Sequence, residues 1–202
     1  MNIPYSIFIL FSVLFFSCSS QSENKRIEGI EIPTPENWID KSEIRIKDNL
    51  ANYNLKDEEI SKLLKNHNGS VPVVIYTKYE PSQFNGPIPT VQVLLRPNNT
   101  KNINSFKKTM EPSLKQMADA LSKFKILSLL EIIEIDGFKA LKFVSQFDMP
   151  FGEDESYTIR SWTYAIPAGK HFYQINFSDT ENEDNEKIYA QLITQIKLKK
   201  QL

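Results

Sequence analysis

The stretch from Ile126 to Phe147 reads ILSLLEIIEIDGFKALKFVSQF, two apolar-rich runs separated by Asp136-Gly137. Asp-Gly supplies the positive φ angles that a tight two-residue β-turn requires, and branched and aromatic residues favour strands on either side. The sequence therefore predicts an antiparallel β-hairpin with strands at 126–135 and 138–147. Because strands joined by such short turns belong to antiparallel sheets, this hairpin decides the fold class.

Similar strand patterns occur on both sides of this hairpin. They predict further strands at 27–32, 71–79, 88–95, 157–166 and 171–177. Together these runs predict an α+β fold, with a largely antiparallel sheet of about six to seven strands flanked by helices. Trp38, which follows a proline-rich turn, is expected to fill the core beside the first strand.

Apolar residues repeat every three or four positions in three segments, which predicts three helices. The first covers 55–67 and the second covers 103–124. Pro112 lies inside the second helix and should bend it or break it near Met110, because proline removes a backbone donor.

The third helix is predicted near the end of the chain, after an acidic stretch. Asp179 or Asn182 would cap its first turn. The basic run of Lys197, Lys199 and Lys200 is interpreted as its solvated end.

The first residues have the pattern of a lipoprotein signal. Ile7 to Phe16 reads IFILFSVLFF, ten residues without a charge, whereas crossing a bilayer takes roughly twenty. Ser17 and Cys18 follow directly, as expected where a small residue precedes a lipidated cysteine. We predict cleavage between Ser17 and Cys18 and attachment of acyl chains to Cys18. An ordinary secretory signal and a retained membrane anchor are the alternatives.

These features predict three parts: a signal peptide at 1–17, a flexible polar tether at 18–27 and a single domain at 28–202. The protein has 202 residues, 41% of them hydrophobic, which suits one globular domain. Its formal net charge of −1 argues against nucleic acid as a partner. Cys18 is the only cysteine, so no intramolecular disulfide is possible.

Several segments resemble the PsbP-like family, which includes PsbP and DcrB types. These segments are Ile30-Glu-Ile-Pro33 with Trp38 after it, Asp136 to Phe143, and Lys170 to Phe177 before a terminal helix. The resemblance implies an α/β/α sandwich from about residue 28 to residue 198. It also implies a binding or assembly module more often than an enzyme, and it assigns no functional residue. The signal resembles those of lipoproteins from Bacteroidetes-type bacteria.

No group of residues has the spacing of a catalytic site, so neither enzymatic activity nor a cofactor is expected. The two histidines, His67 and His171, lack metal-ligand spacing and are expected to be structural or exposed. Acidic residues cluster at 153–155, with Asp148 nearby, and at 179–184. They lack the spacing of an EF-hand loop, and no metal site is assigned to them.

The leading hypothesis is a non-enzymatic lipoprotein of the bacterial cell envelope, lipid-anchored on the periplasmic or outer-membrane face, whose domain binds a protein partner. The predicted partner-binding residues are Phe84, Asn85, Phe151 and Gly152, where aromatic residues occur among turn formers. A core role is the alternative for each phenylalanine. A small-molecule or calcium-binding domain is the rival function, and a hydrolase is a third class.

Overall fold

A computed structural model of the chain describes residues 27–42, 57–151 and 155–200. In chain order its elements are β1 (Ile27–Glu31), β2 (Ile39–Asp40), α1 (Asp57–Asn66), β3 (Val71–Thr77), β4 (Thr90–Pro97), α2 (Ile103–Ala120), β5 (Ser122–Ile135), β6 (Phe138–Phe151), β7 (Glu155–Ala168), β8 (His171–Thr180), α3 (Glu186–Gln195) and β9 (Lys197–Lys200).

Seven of these strands form one antiparallel sheet in the order β2-β3-β4-β8-β7-β6-β5, and β1 pairs with β9 in a separate two-stranded ribbon. The predicted α+β class with a largely antiparallel sheet is confirmed. The Asp136-Gly137 turn is also confirmed, with φ angles of 48° and 78°. Ile135 and Phe138 pair directly across it.

One face of the sheet is covered by α1, α3 and the β1–β9 ribbon, which share a hydrophobic core with β3, β4, β7 and β8. Tyr189 of α3 lies at the centre of this core. Its ring centroid is 4.8 Å from Phe177, 5.3 Å from Trp162 and 6.2 Å from Trp38. Trp38 is only 8% exposed, as predicted for a core residue.

The opposite face is covered by α2, which packs on β6, β7 and β8 through a smaller apolar cluster. Phe106 of α2 contacts Phe172 of β8, with ring centroids 5.1 Å apart. The Asn102 side chain caps the helix by accepting a hydrogen bond from the Ser105 amide at 2.9 Å, and the Asn102 amide donates to Ser105 Oγ at 3.3 Å. This capping box satisfies two backbone donors at the start of the helix.

The predicted end of α2 was wrong, and of the bend or break predicted at Pro112 the break does not occur. The helix ends at Ala120 rather than residue 124, because Leu121 adopts an extended conformation and β5 begins at Ser122. Pro112 does not break the helix. It is exposed, and Phe106 and Leu114 are buried on either side of it, so packing maintains the helix through the missing hydrogen bond.

The predictions for the end of the chain need two corrections. Asn185 is the N-cap residue of α3, whereas Asp179 and Asn182 precede it. The basic run is strand β9 rather than the solvated end of α3, because alternation buries Leu198 at 5% exposure between two exposed lysines. The Leu198 amide also donates to Asp136 Oδ2 at 2.7 Å, which fastens β9 to the β5–β6 turn.

The β6–β7 hairpin is longer than predicted. Its strands pair from Leu141 opposite Ala165 to Phe151 opposite Glu155. Extended pairing places Phe151 at the far end of the hairpin rather than in a loop, which matters for the candidate site.

Candidate functional site

Two pairs of aromatic rings lie on either side of Gly86, where the loop at 80–87 approaches the far end of the β6–β7 hairpin. We call this group, Tyr79, Phe84, Phe151 and Tyr157, the aromatic loop cluster. Phe84 stacks on Tyr79 with centroids 4.5 Å apart and planes 12° apart. Tyr157 meets Phe151 edge-on, with centroids 5.5 Å apart. Phe84 is 37% exposed, so the stack holds part of an ordered aromatic ring in solvent.

Gly86 lies between the two halves of this cluster. Its φ of +129° is a backbone conformation that favours glycine. A Cβ atom at this position would lie 3.6 Å from Phe84 Cε1 and 3.6 Å from Tyr157 Oη, which are ordinary contact distances. The backbone conformation therefore favours glycine here, and it allows the loop to lie against both rings.

Glu183, in the loop between β8 and α3, links this loop to the end of β3. Lys78 Nζ forms an ion pair with Glu183 Oε2, and Tyr79 Oη donates to Glu183 Oε1 at 2.7 Å. Lys78 Nζ also lies 5.4 Å from the centroid of the Tyr79 ring. Tyr79 is therefore held on its hydroxyl while its ring supports Phe84.

These contacts shift the pKa values of Glu183, Lys78 and Tyr79 in a mutually consistent way. Burial alone would raise the pKa of Glu183, but hydrogen bonds from Lys78 and Tyr79 outweigh it and lower that pKa. Burial alone would lower the pKa of Lys78, but its hydrogen bond and ion pair with Glu183 raise it. The hydrogen bond with Glu183 raises the pKa of Tyr79. The three groups stabilise one another's charge states, which favours a structural role over proton transfer.

A buried carboxyl organises the loop that carries Glu183. Asp179 is 2% exposed and accepts hydrogen bonds from the Asn185 amide at 3.0 Å and the Thr180 amide at 3.1 Å. The Asn185 side chain donates to both carboxyl oxygens at 3.1 and 3.0 Å. Burial raises the pKa of Asp179 despite these bonds. Asp179 thus supports the α3 N-cap residue, although it is not itself the cap.

The other predicted acidic cluster is only partly described. Asp148 pairs with Lys123 at 2.6 Å and accepts a hydrogen bond from Thr158 at 3.1 Å, and the contact with Lys123 lowers its pKa. Glu153 and Asp154 lie outside the described residues. Within 27–42, 57–151 and 155–200, no three His, Cys, Asp or Glu side chains are grouped to hold a metal ion.

Both histidines lie away from the aromatic loop cluster. His67 is exposed after the last turn of α1, where its amide donates to the Leu63 carbonyl. His171 is 2% exposed, and its ring lies edge-on to Tyr173 with centroids 5.6 Å apart. The two positions agree with the predicted exposed and structural roles.

A separate cleft lies between the turn at 34–37 and helix α3, with a volume of about 380 Å³. Pro35, Ile188 and Leu192 form its apolar part, and Gln191 contributes an amide. It lies beside the hydrophobic core that contains Tyr189, apart from the aromatic loop cluster.

The sequence-predicted site residues fall in different places. Phe84 and Phe151 both belong to the aromatic loop cluster, and Asn85 is exposed in the same loop. Gly152 lies outside the described residues, as do Ser17 and Cys18.

Sequence reasoning missed the other residues of this region. Tyr79 had a usable signal, because it directly follows the alternating pattern of β3 and precedes a turn-rich loop. Tyr157 and Glu183 had none, since their contacts with the loop join distant parts of the chain.

No family model and no curated protein matches this chain. Among solved structures, it is similar to LpqN from Mycobacterium tuberculosis, described as involved in cell envelope biogenesis. The similarity has a TM-score of 0.52 at 14% identity and covers 84% of this chain and 83% of LpqN. At this identity the likeness shows a shared α+β fold.

A second solved structure, a protein of unknown function called PA94 from Pseudomonas aeruginosa, gives a TM-score of 0.43 at 16% identity. That match covers 59% of this chain and 78% of PA94. The PsbP-like resemblance remains a prediction. None of the helices in the described ranges is long and apolar enough to cross a bilayer.

Proposed function

We propose that this protein is a lipid-anchored lipoprotein of the bacterial cell envelope, whose domain binds a protein partner without catalysing a reaction. In this proposal Cys18 carries the acyl chains, and the aromatic loop cluster contacts the partner. The observation that carries the proposal is the partly exposed ring of Phe84, which stacks on Tyr79 and is separated from Tyr157 by Gly86.

An ordered, partly exposed aromatic ring is well suited to protein recognition. Aromatic side chains offer a large contact area and lose little conformational freedom on binding when they are already fixed. Phe84 is fixed by its stacking, and Tyr79 beneath it is fixed by Glu183. Asn85 beside it offers exposed amide groups for the polar rim of an interface.

A non-catalytic role for this site is supported by the contacts of its nearby ionisable group, Glu183. Glu183 contacts Lys78 with one oxygen and Tyr79 with the other. A general base needs an oxygen free to accept a proton from a substrate. These contacts favour support of the loop.

Support for the anchor comes from the Ser17-Cys18 pair behind a short apolar run. LpqN, which shares the fold, is described as involved in cell envelope biogenesis, and this agrees with an envelope location. Mass spectrometry of the protein from native membranes should find an N-terminal acylated Cys18. Recovery of an intact residue 1, or of an unmodified Cys18, would contradict the anchor.

The partner proposal is tested by crosslinking and co-purification from native membranes. We compare the unmodified chain with the Phe84→Ala/Phe151→Ala double variant, with Gln83→Ala as the matched control in the same loop. The double variant should lose a discrete partner that the other two retain. Equal capture by a folded double variant would overturn the assignment of this surface.

The cleft beside α3 favours a second candidate function, the binding of a small molecule. Its volume of about 380 Å³ falls in the range of roughly 300–1,000 Å³ typical of ligand pockets. Calorimetric titration with a panel of small organic ligands tests this function, and titration with Ca²⁺ tests the calcium alternative. Heat of binding that Leu192→Ala reduces would support the cleft, whereas binding unchanged by that variant would exclude it.

A further inference from the structure

Strand β5 forms one edge of the seven-stranded sheet and presents an exposed apolar surface. In the described part of the chain it pairs with β6 only, so its outer backbone edge has no neighbouring strand. Ile126, Leu127, Leu129 and Ile132 are 45%, 48%, 81% and 43% exposed. Long apolar edges of this kind readily pair with another strand, and soluble proteins usually protect them.

Charges along β5 are divided between its two ends. Lys123 and Lys125 lie near its start, and Glu131 and Glu134 lie near its end. Parallel pairing of two such strands would place like charges together. Antiparallel pairing would place the basic end of each strand beside the acidic end of the other, which stabilises the pair.

The register with β6 shows which β5 side chains share a face. Lys125, Ser128 and Glu131 oppose positions 146, 144 and 142 of β6 and therefore point to one face of the sheet. Ile126 and Ile132 oppose positions 145 and 141 and point to the other face. Irregularities in the register on both sides of Ser128 produce this symmetric arrangement.

We propose that a second copy of this chain pairs with β5 in antiparallel orientation, with Ser128 of both copies on the two-fold axis. This register places Lys125 opposite Glu131 on one face. On the other face it places Ile126 opposite Leu130, which packs on the same cluster as Leu141, and each pair occurs twice by symmetry. The two seven-stranded sheets then join into one. The exposed aliphatic side chains become covered, and the outer backbone groups gain hydrogen-bond partners.

The charge pattern of β5 favours a second copy of this chain over a membrane or a different protein. A membrane with anionic lipids would attract the two lysines and repel Glu131 and Glu134. A strand from a different protein would not require β5 to be complementary to itself. A second copy requires it.

Zero-length crosslinking of the full chain, purified in detergent from a mixture of unlabelled and ¹⁵N-labelled cells, tests the register. Within one strand, Lys125 and Glu131 are roughly 20 Å apart, too far for such a link. A linked Lys125–Glu131 peptide that joins one light and one heavy copy is the expected result. Lys142 opposite Glu131 within the chain provides the internal control for reactivity.

Charge exchange tests the association itself, measured by sedimentation of the same detergent-solubilised chain. Lys125→Glu or Glu131→Lys alone creates two like-charged pairs and should weaken dimerisation roughly tenfold or more. The double variant restores opposite charges and should dimerise again. Lys115→Glu, an exposed change on α2, should leave dimerisation unchanged.

Three results would overturn the proposal. They are a monomer at all concentrations, a dimer that the single charge changes do not weaken, and a double variant that fails to recover while its melting temperature matches that of the unmodified chain. A monomer would leave the β5 edge to a different protein or to a lipid surface.

Discussion

The ring of Phe84 lies parallel to that of Tyr79 within 12°, and the hydroxyl of Tyr79 donates a hydrogen bond to Glu183 Oε1. Tyr79 therefore joins an exposed ring to the β8–α3 loop. If it sets the order of the 80–87 loop, two substitutions at this position should have different effects.

We expect Tyr79→Phe to keep the stack and lose only the hydrogen bond, at a cost of about 1 kcal/mol in the free energy of unfolding. Tyr79→Ala should also remove the stack, worth about 0.5–1.5 kcal/mol more, and loosen the loop. Hydrogen exchange at the Gln83 amide, which donates to the Glu80 carbonyl, reports loop order. Equal exchange in both variants would show that the stack does not order the loop.

The Lys78–Glu183 ion pair should be measurable but modest, because both side chains are partly solvated, at 27% and 21% exposure. A double-mutant cycle with Lys78→Met and Glu183→Gln should give a coupling of about 0.5–1 kcal/mol. Because the folded pKa of Glu183 is lowered, its contribution is present above the unfolded pKa and is lost as pH falls through the folded value. A coupling that persists at a pH below the folded pKa would contradict the ion-pair account.

The contribution of Asp179 to stability should have the opposite pH dependence to that of Glu183. Burial raises its folded pKa above the ordinary value of 3.8, so the stability it contributes is fullest below 3.8 and is lost as pH rises through the folded pKa. Asp179→Asn removes the titration. We therefore expect the difference in unfolding free energy, unmodified chain minus variant, to fall as pH rises from 3.8 through that interval. Denaturant unfolding at several pH values measures it, and a flat or rising difference would contradict the raised pKa.

Asp136 should fasten the β1–β9 ribbon to the sheet. Asp136→Ala removes the carboxylate that accepts the hydrogen bond of the Leu198 amide. We expect this to lower the free energy of unfolding by about 1–3 kcal/mol. Asp136→Asn is the matched control, since asparagine keeps an acceptor oxygen and tolerates the φ of 48°. Hydrogen exchange at Leu198 should rise strongly in the alanine variant and little in the asparagine variant.

Features with a local cause could be predicted from the sequence. The Asp136-Gly137 turn was predicted because its residue types suit positive φ angles. Trp38 was predicted to be buried because it follows an apolar strand and a proline-rich turn. The antiparallel class of the sheet was predicted because short turns such as Asp136-Gly137 join its neighbouring strands.

Features that depend on contacts between distant segments could not be predicted. The lysines at 197–200 have the composition of a helix end, and only pairing with β1 makes them a strand. Asp179 is a residue type that often caps helices, yet it is buried at the end of β8, and the N-cap position of α3 is Asn185. The end of α2 has no glycine signal, because the helix passes directly into strand β5 through the extended residue Leu121.

The candidate site also has a part that could be predicted from local sequence and a part that depends on contacts between distant segments. Turn formers around Phe84 and Phe151 marked both as candidate partner-binding residues, but the sequence did not show which contacts bring their segments side by side. That proximity requires the long β6–β7 pairing and the approach of Gly86 to Tyr157.

The β1–β9 ribbon has a mechanical consequence. Ile27 lies opposite Lys200, so a force applied between these two positions would load the antiparallel pair at one end. The ribbon would open one hydrogen bond at a time at low force, while the seven-stranded sheet behind it stayed intact. For a domain held to a surface through the segment before Ile27 and loaded at Lys200, this ribbon would open before the seven-stranded sheet does.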